Sequence, residues 1–131
     1  MKYVPLLGRI LFSMIFLDSG FKHFTSGTIN YAASAGVPMA SIAVPLAGII
    51  AIVGALSILL GYKAKWGGWL IVLFLVPVTF MMHAYWSVTD PMQHQMQMIM
   101  FMKNMSMLGG ALMIAYFGSG PVSLDEVIKP K

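Results

Sequence analysis

Residues 41–60 read SIAVPLAGIIAIVGALSILL and contain no charged side chain. A helix of about 20 apolar residues crosses the roughly 30 Å hydrocarbon core of a bilayer. Further apolar stretches of similar length occupy residues 5–24, 66–87 and 94–117. The sequence therefore predicts an all-α protein, a four-helix transmembrane bundle, with a short interfacial helix near residues 29–35.

The composition agrees with a membrane protein. Of the 131 residues, 59% are hydrophobic and 9% are charged, whereas soluble domains average about 25% charged residues. The predicted spans use almost the whole chain, so residues 1–131 are expected to form a single membrane domain that lies in the lipid bilayer. The chain has no cysteine, which excludes a CxxC redox pair and iron–sulfur clusters held by thiolates.

Basic residues indicate how the bundle is oriented. Four spans put both termini and the loop between the second and third spans on one side of the membrane. That side carries all five lysines outside the spans, namely Lys2, Lys63, Lys65, Lys129 and Lys131. By the positive-inside rule both termini are predicted to be cytoplasmic, in a bacterial-type inner membrane. The same rule accounts for the net charge of +4, so we predict no nucleic-acid partner.

Three of the predicted spans carry ionisable side chains, which are costly inside a bilayer and usually functional there. The set is Asp18 and Lys22 in the first span, His83 in the third, and Lys103 beside the polar Asn104 in the fourth. At 1.5 Å per residue these ionisable groups fall roughly 3 to 14 Å below the outer boundary. The sequence therefore predicts one polar layer in the outer half of the bundle.

The charges of this layer do not cancel. Asp18 and Lys22 are four residues apart, so they share a helix face and can form an ion pair. Lys103 leaves an excess of one positive charge, which a quinol anion, an oxyanion or a lipid headgroup would balance. Lys22, Lys103 and Asn104 are accordingly the predicted ligands of a quinone or of an anion. Simpler interpretations stay open: a purely structural ion pair, a Lys103 that reaches the surface alone, and a His83 that serves only packing.

Methionine is abundant, with 13 residues, and many of them lie in or beside the fourth span. Thioethers and imidazoles are suitable ligands for Cu(I). An alternative metal site is therefore Met92, His94 and Met96, at the outer end of this span. Methionine also fills irregular helix interfaces, and that interpretation explains most of the set without a metal.

Short motifs occur in an order that resembles one family. They are SGFKH at 19–23, GVP at 36–38, GALSILLG at 54–61, His83, KN at 103–104, GG at 109–110 and GSGPVSLD at 118–125. The chain resembles a DoxX-type membrane protein, a group of small four-helix proteins that includes the DoxD-like subunits. The resemblance covers nearly the whole chain. It departs at Ala51, where many such proteins have a glutamate.

The resemblance implies an integral inner-membrane subunit of a redox system that acts on or beside the quinone pool. In that hypothesis Lys22 and Lys103 stabilise a developing quinol or oxyanion charge, Asp18 fixes Lys22, and His83 exchanges protons with the outer side. Quinone is the candidate cofactor. The sequence has no recognisable nucleotide, flavin or cluster motif, so electrons require the quinone itself or a redox partner protein. A non-catalytic scaffold or assembly subunit is the alternative, and an oligomer stays open.

Overall fold

The computed structural model describes residues 1–129, and Lys131 lies outside the described residues. Within residues 1–129 the chain forms helices and no strand. The helices are α1 Val4–Lys22, α2 Ser26–Ser34, α3 Ala40–Leu60, α4 Ala64–Met82, α5 Pro91–Phe117 and α6 Leu124–Val127, with a 3-10 helix at Tyr85–Ser87 after α4. Four of them, α1, α3, α4 with its 3-10 extension, and α5, are long and apolar enough to cross a membrane. The predicted four-helix transmembrane bundle is confirmed.

The bundle has two ends, which we name by what they hold. The terminal end carries residues 1–3, the α3–α4 turn at 61–63 and the C-terminal segment 118–129. The loop end carries α2 and the α4–α5 connection at 83–90. Because the chain crosses four times, these two ends lie on opposite sides of the membrane.

Among the membrane-spanning helices, two ends differ from the sequence prediction by three residues or more, each for a local reason, and the short helix α2 begins at Ser26 instead of near residue 29. Helix α5 begins at Pro91 rather than at residue 94, because Asp90 caps it. The backbone N–H of Gln93 donates to Asp90 Oδ2 over 3.0 Å, and proline is favoured in a first helical turn. Helix α4 ends at Met82 rather than near residue 87, because the chain turns there and its 3-10 segment packs against α5. His83 is therefore the C-cap residue of α4 and not part of the regular helix.

Small residues set how the helices meet. Helix α1 packs against α3, α3 against α4, and α4 against α5. A Cβ atom on Gly48 would lie 2.7 Å from the carbonyl oxygen of Gly20, and a Cβ on Gly68 would lie 2.7 Å from the backbone nitrogen of Ala115. Such small residues let helix backbones approach closely in a bilayer, where helices gain little from apolar burial against one another. Helices α1 and α5 make few contacts, and we call the boundary between them the α1–α5 seam.

The core lies between α1, α3, α4 and α5. Its buried members combine large side chains with alanines, and they are Phe16, Ala51, Ala55, Ile58, Ile71, Phe74, Leu75 and Ala111. Ala51 has no exposed surface. The position at which the resemblance leads us to expect a glutamate is therefore filled here by a methyl group in a closed apolar environment.

The C-terminal segment closes the terminal end through Asp125. Its Oδ1 accepts the backbone N–H of Lys63 over 2.8 Å, and its Oδ2 accepts the backbone N–H of Ala64 over 3.4 Å and the hydroxyl of Ser119 over 2.5 Å. The backbone N–H of Asp125 donates to the carbonyl of Gly61 over 2.9 Å. Asp125 thus supplies an N-terminal cap to α4 from a distant part of the sequence.

Arg9 anchors the same segment from within α1. Its side chain is 4% exposed, and its Nη2 donates to the carbonyl oxygen of Val122. Burial acts to raise the pKa of Asp125, but the hydrogen bonds from Ser119 and from the backbone of α4, together with the Arg9 charge, outweigh it and hold that pKa below its usual value. Arg9 and Asp125 therefore fix residues 118–125 against the ends of α1, α3 and α4.

Candidate functional site

A cavity of about 300 Å³ lies between α1, α4 and α5, on the loop-end side of the core. This volume is at the lower end of the range found for small-molecule sites. Its apolar lining includes Phe16, Phe74 and Leu75. Its polar lining is Asp18, Ser19, Lys22, His83, Lys103 and Asn104. All five site residues predicted from the sequence therefore border one space, which we call the polar cavity.

An ion pair forms the α1 wall of the polar cavity. Lys22 Nζ lies 2.8 Å from Asp18 Oδ2, and the two side chains are 67% and 66% exposed. Such exposure means that the pair faces the α1–α5 seam instead of filling the core. Exposed pairs of this spacing contribute little to stability, so the pair orients Lys22 more than it holds the bundle together.

Lys103 is the second ammonium group of the polar cavity. It lies twelve residues past Pro91, or about 18 Å along the axis of α5. This is deeper than the sequence prediction, because α5 begins three residues earlier. Lys103 forms no ion pair with any residue of the range 1–129. The polar cavity therefore holds two ammonium groups and one carboxylate, an excess of one positive charge.

Asn104 is the buried polar group of the site. Its residue is 6% exposed and lines the polar cavity. Its amide makes no hydrogen bond with any described residue, and it is accessible from the cavity, because the fully buried side-chain atoms without a partner in residues 1–129 belong to Arg9 and Ser13. The Asn104 amide is thus a free donor and acceptor directed at the cavity.

His83 connects the polar cavity to the loop end. Its Nδ1 lies 2.8 Å from Gln97 Oε1, and Gln97 Nε2 lies 3.1 Å from the hydroxyl of Tyr31 on α2. Gln97 was not among the residues predicted from the sequence. One signal could have found it: Gln97 precedes Asn104 by seven residues, so the two share a helix face.

His23 lies outside this arrangement. Its ring lines a separate, apolar cavity of about 140 Å³ beneath α2. Its Nδ1–H donates to the carbonyl of Ser19 over 2.6 Å, and its ring centre lies 5.3 Å from that of Phe74. His23 therefore packs at the end of α1 beside the polar cavity and does not line it.

The alternative copper ligands do not converge. Met92 and Met96 are exposed and one turn apart on α5. His94 lies between them in sequence and so projects from the other side of the helix. It packs against the ring of Tyr85 and donates its Nδ1–H to the carbonyl of Val88 over 3.2 Å. A Cu(I) ion at this place could therefore be bound by Met92 and Met96 or by His94, but not by all three side chains together.

Comparison with known proteins fits this architecture. The DoxX family model matches residues 4–84. The chain belongs to the DoxX family. The match covers α1 to α4 and includes Asp18, Lys22 and His83, whereas Lys103 and Asn104 lie beyond it.

Two relatives of this DoxX chain come from Escherichia coli strain K12. Inner membrane protein YphA is 33% identical over 92% of this chain and 87% of its own length. Inner membrane protein YqjF is 29% identical over 96% of this chain and 92% of its own length. No solved structure gives a significant match. With its four membrane-spanning helices, the chain is an integral inner-membrane protein of the DoxX family.

Proposed function

We propose that this DoxX protein is a subunit of a quinone-linked redox system and that its polar cavity binds the headgroup of a quinol. The observation that carries the proposal is the meeting of two ammonium groups, one carboxylate, one imidazole and an unpaired amide in one cavity between membrane helices. Groups of this kind inside a membrane are expensive and usually line a substrate or proton path.

The chemistry of the cavity fits a quinone. A quinone headgroup is a flat apolar ring with oxygen atoms at its edges. Phe16, Phe74 and Leu75 offer apolar walls, while Lys103 and the Asn104 amide offer donors to an oxygen. The α1–α5 seam borders the same cavity, so an apolar tail has a direct route into the bilayer. A bound quinone would supply the two-electron chemistry that the side chains themselves lack.

Each polar residue has a role in this proposal. Lys22 and Lys103 stabilise negative charge that develops on a headgroup oxygen, because their combined charge exceeds that of Asp18. Asp18 holds Lys22 in place through their ion pair. His83 accepts a proton, since a neutral imidazole can exchange protons near neutral pH.

The proposal includes an orientation and a partner. The lysines at the terminal end favour an orientation with the termini in the cytoplasm and the loop end, with His83, toward the outer side. Protons would then be released to the outer side. Electrons leave or enter through the quinone pool or a redox partner protein that docks on the bundle.

The test is retention of quinone by the purified protein in lipid nanodiscs. Extracted quinone is measured by absorbance and mass spectrometry for the native chain and for the Lys22→Ala/Lys103→Ala variant. We expect the variant to retain at least tenfold less, since a hydrogen bond to a charged group contributes about 1.5–3 kcal/mol. Lys2→Ala/Lys65→Ala removes the same charge from the terminal end and is the matched control. If the Lys22→Ala/Lys103→Ala variant retained as much quinone as the Lys2→Ala/Lys65→Ala control, the proposal would be wrong.

The same preparation separates the alternatives. Bound Cu(I) that is lost on replacing Met92, His94 and Met96 would favour a metal-handling protein. A native protein that carries neither quinone nor copper would favour the non-catalytic scaffold.

An exchange of charges gives a second test of the scaffold alternative. The Asp18→Lys/Lys22→Asp variant keeps an ion pair of the same spacing but moves the ammonium group one turn along α1. A scaffold tolerates this exchange, with unchanged assembly and unfolding temperature. A quinol site loses retention, because the ammonium no longer lies where the headgroup binds.

A further inference from the structure

Three side chains from three elements form a hydrogen-bonded row at the loop end. Tyr31 comes from α2, Gln97 from α5 and His83 from the end of α4. The distances are 3.1 Å from Gln97 Nε2 to the Tyr31 hydroxyl and 2.8 Å from Gln97 Oε1 to His83 Nδ1. Tyr31 is half exposed and His83 lines the polar cavity, so the row joins the outer surface of the loop end to that cavity.

The chemistry of the row determines where His83 carries its proton. A carbonyl oxygen accepts hydrogen bonds and cannot donate them. In the orientation that the Gln97 amide has in the structure, with Oε1 toward His83 and Nε2 toward Tyr31, His83 Nδ1 holds the ring N–H. Gln97 Nε2 faces the tyrosine oxygen, which accepts its hydrogen and leaves the phenolic O–H free to donate elsewhere. Neutral His83 then has its lone pair on Nε2, which makes no hydrogen bond with any residue of the range 1–129.

We propose that Gln97, held by Tyr31, is a positioning residue that keeps neutral His83 in the Nδ1–H tautomer. In this tautomer the lone pair is on Nε2, the ring nitrogen that does not face Gln97, and the His83 ring lines the polar cavity. An imidazole accepts a proton only at the nitrogen that has a lone pair, so the tautomer decides which side of the ring works as a base. The role of this base rests on the proposed function, whereas the tautomer itself does not.

The proton-transfer step balances within the cavity. The O–H bond of a headgroup hydroxyl breaks, and an Nε2–H bond forms on His83. The negative charge stays on the headgroup oxygen beside Lys22 and Lys103, and His83 becomes an imidazolium with both N–H groups. Release of the Nε2 proton to water that enters the polar cavity restores the starting tautomer. No electron moves in this step.

The test is the nitrogen NMR spectrum of the ¹⁵N-histidine-labelled protein in nanodiscs, at a pH where the rings are neutral. His23 and His94 donate Nδ1–H to backbone carbonyls, so they supply internal references for an Nδ1–H ring. His83 is assigned by its loss in the His83→Asn variant. We expect a protonated Nδ1 and an unprotonated Nε2 for His83. An Nε2–H ring, or an even mixture, would overturn the proposal.

Variants at the middle of the row separate positioning from general structure. Gln97→Leu removes the acceptor, and the His83 signals are expected to shift toward a mixture of both tautomers. Gln97→Glu keeps an oxygen facing Nδ1 and is expected to retain the Nδ1–H form. Gln95→Leu changes an exposed glutamine of the same helix and is the matched control. An unchanged His83 spectrum in Gln97→Leu would contradict the positioning role.

The spectrum distinguishes failure of this inference from failure of the proposed function. It reports the tautomer in the absence of any quinone. A native protein that shows the Nδ1–H ring but retains no quinone keeps the inference and loses the proposed function. A native protein that retains quinone but shows an Nε2–H ring keeps the proposed function and loses this inference.

Discussion

Asn104 is the residue at which binding and stability are expected to separate. Its amide lines the polar cavity and makes no hydrogen bond with any described residue, so it is free to pair with a ligand. The Asn104→Leu variant replaces the amide with an apolar group of similar size. We expect unfolding free energy to change by no more than about 1 kcal/mol, while quinone retention falls about two- to tenfold. A clear loss of stability in detergent unfolding would show that the amide has a structural partner.

Asp125 predicts how stability depends on pH at the terminal end. The fold lowers its pKa, so the unfolded chain binds a proton at higher pH than the folded one. The contribution of ionised Asp125 to the free energy of unfolding is therefore complete above the unfolded pKa of about 3.9. It is lost as pH falls through the lower pKa of the folded state. Unfolding free energy measured from neutral pH to pH 3 should decrease at the acid end. In Asp125→Asn we expect lower stability at neutral pH and a weaker decrease.

The control for this pH dependence is Glu126→Gln. Glu126 is a neighbouring carboxylate whose side chain makes no hydrogen bond with any residue of the range 1–129. That variant should follow the native curve. If Asp125→Asn kept the full acid decrease, other carboxylates would be responsible.

At the scale of single residues, the sequence predicted the members of the polar cavity but not their supports. The pairing of Asp18 with Lys22 could be predicted because four-residue spacing places them on one helix face. The contact between Tyr31 and Gln97 could not be predicted, because it depends on how α2 and α5 are rotated toward each other. Arg9 and Asp125 were missed as a pair because 116 positions separate them in the sequence and no local pattern links them.

Among the helices, the contact between α4 and α5 tolerates no added atom at Gly68. A Cβ there would lie 2.7 Å from the backbone nitrogen of Ala115 and 2.9 Å from the carbonyl oxygen of Ala111. Because backbone atoms cannot rotate away, Gly68→Ala must separate the helices. We expect it to lose about 1–3 kcal/mol of unfolding free energy.

Gly109 is the matched control for Gly68. A Cβ at this position meets nothing within 4 Å, and alanine is a better helix former than glycine. Gly109→Ala is therefore expected to leave stability unchanged or to raise it by up to about 1 kcal/mol. Detergent unfolding of both variants checks the pair. Equal losses would mean that α4 and α5 are not held by close backbone approach.

The helices themselves were predictable because each apolar stretch is long enough to cross a bilayer. Their ends were less predictable. The Asp90 cap moved the start of α5 by three residues, and the 3-10 turn stopped α4 at Met82. Both differences arise where polar caps and side-chain packing decide the backbone, which a count of apolar residues does not detect.

For the whole molecule, the orientation is open to direct measurement. The chain has no cysteine, so single substitutions give clean labelling sites. Thr89→Cys lies in the loop-end connection, and Val127→Cys lies at the terminal end, where Val127 is exposed. We expect a membrane-impermeant maleimide to label Thr89→Cys in intact cells and Val127→Cys only after the membrane is opened. The reverse pattern would place the termini outside.

The weak contact between α1 and α5 has a consequence for how any affinity must be measured. A ligand that enters through the α1–α5 seam comes from the lipid phase and not from water. Its effective concentration is then its mole fraction among the lipids. Adding buffer would not lower the occupancy of the site. Adding ligand-free vesicles would lower it, because part of the ligand would move into the added lipid. Titrations of this protein should therefore be expressed in mole per cent of lipid, and a constant given in micromolar would change with the amount of membrane in the tube.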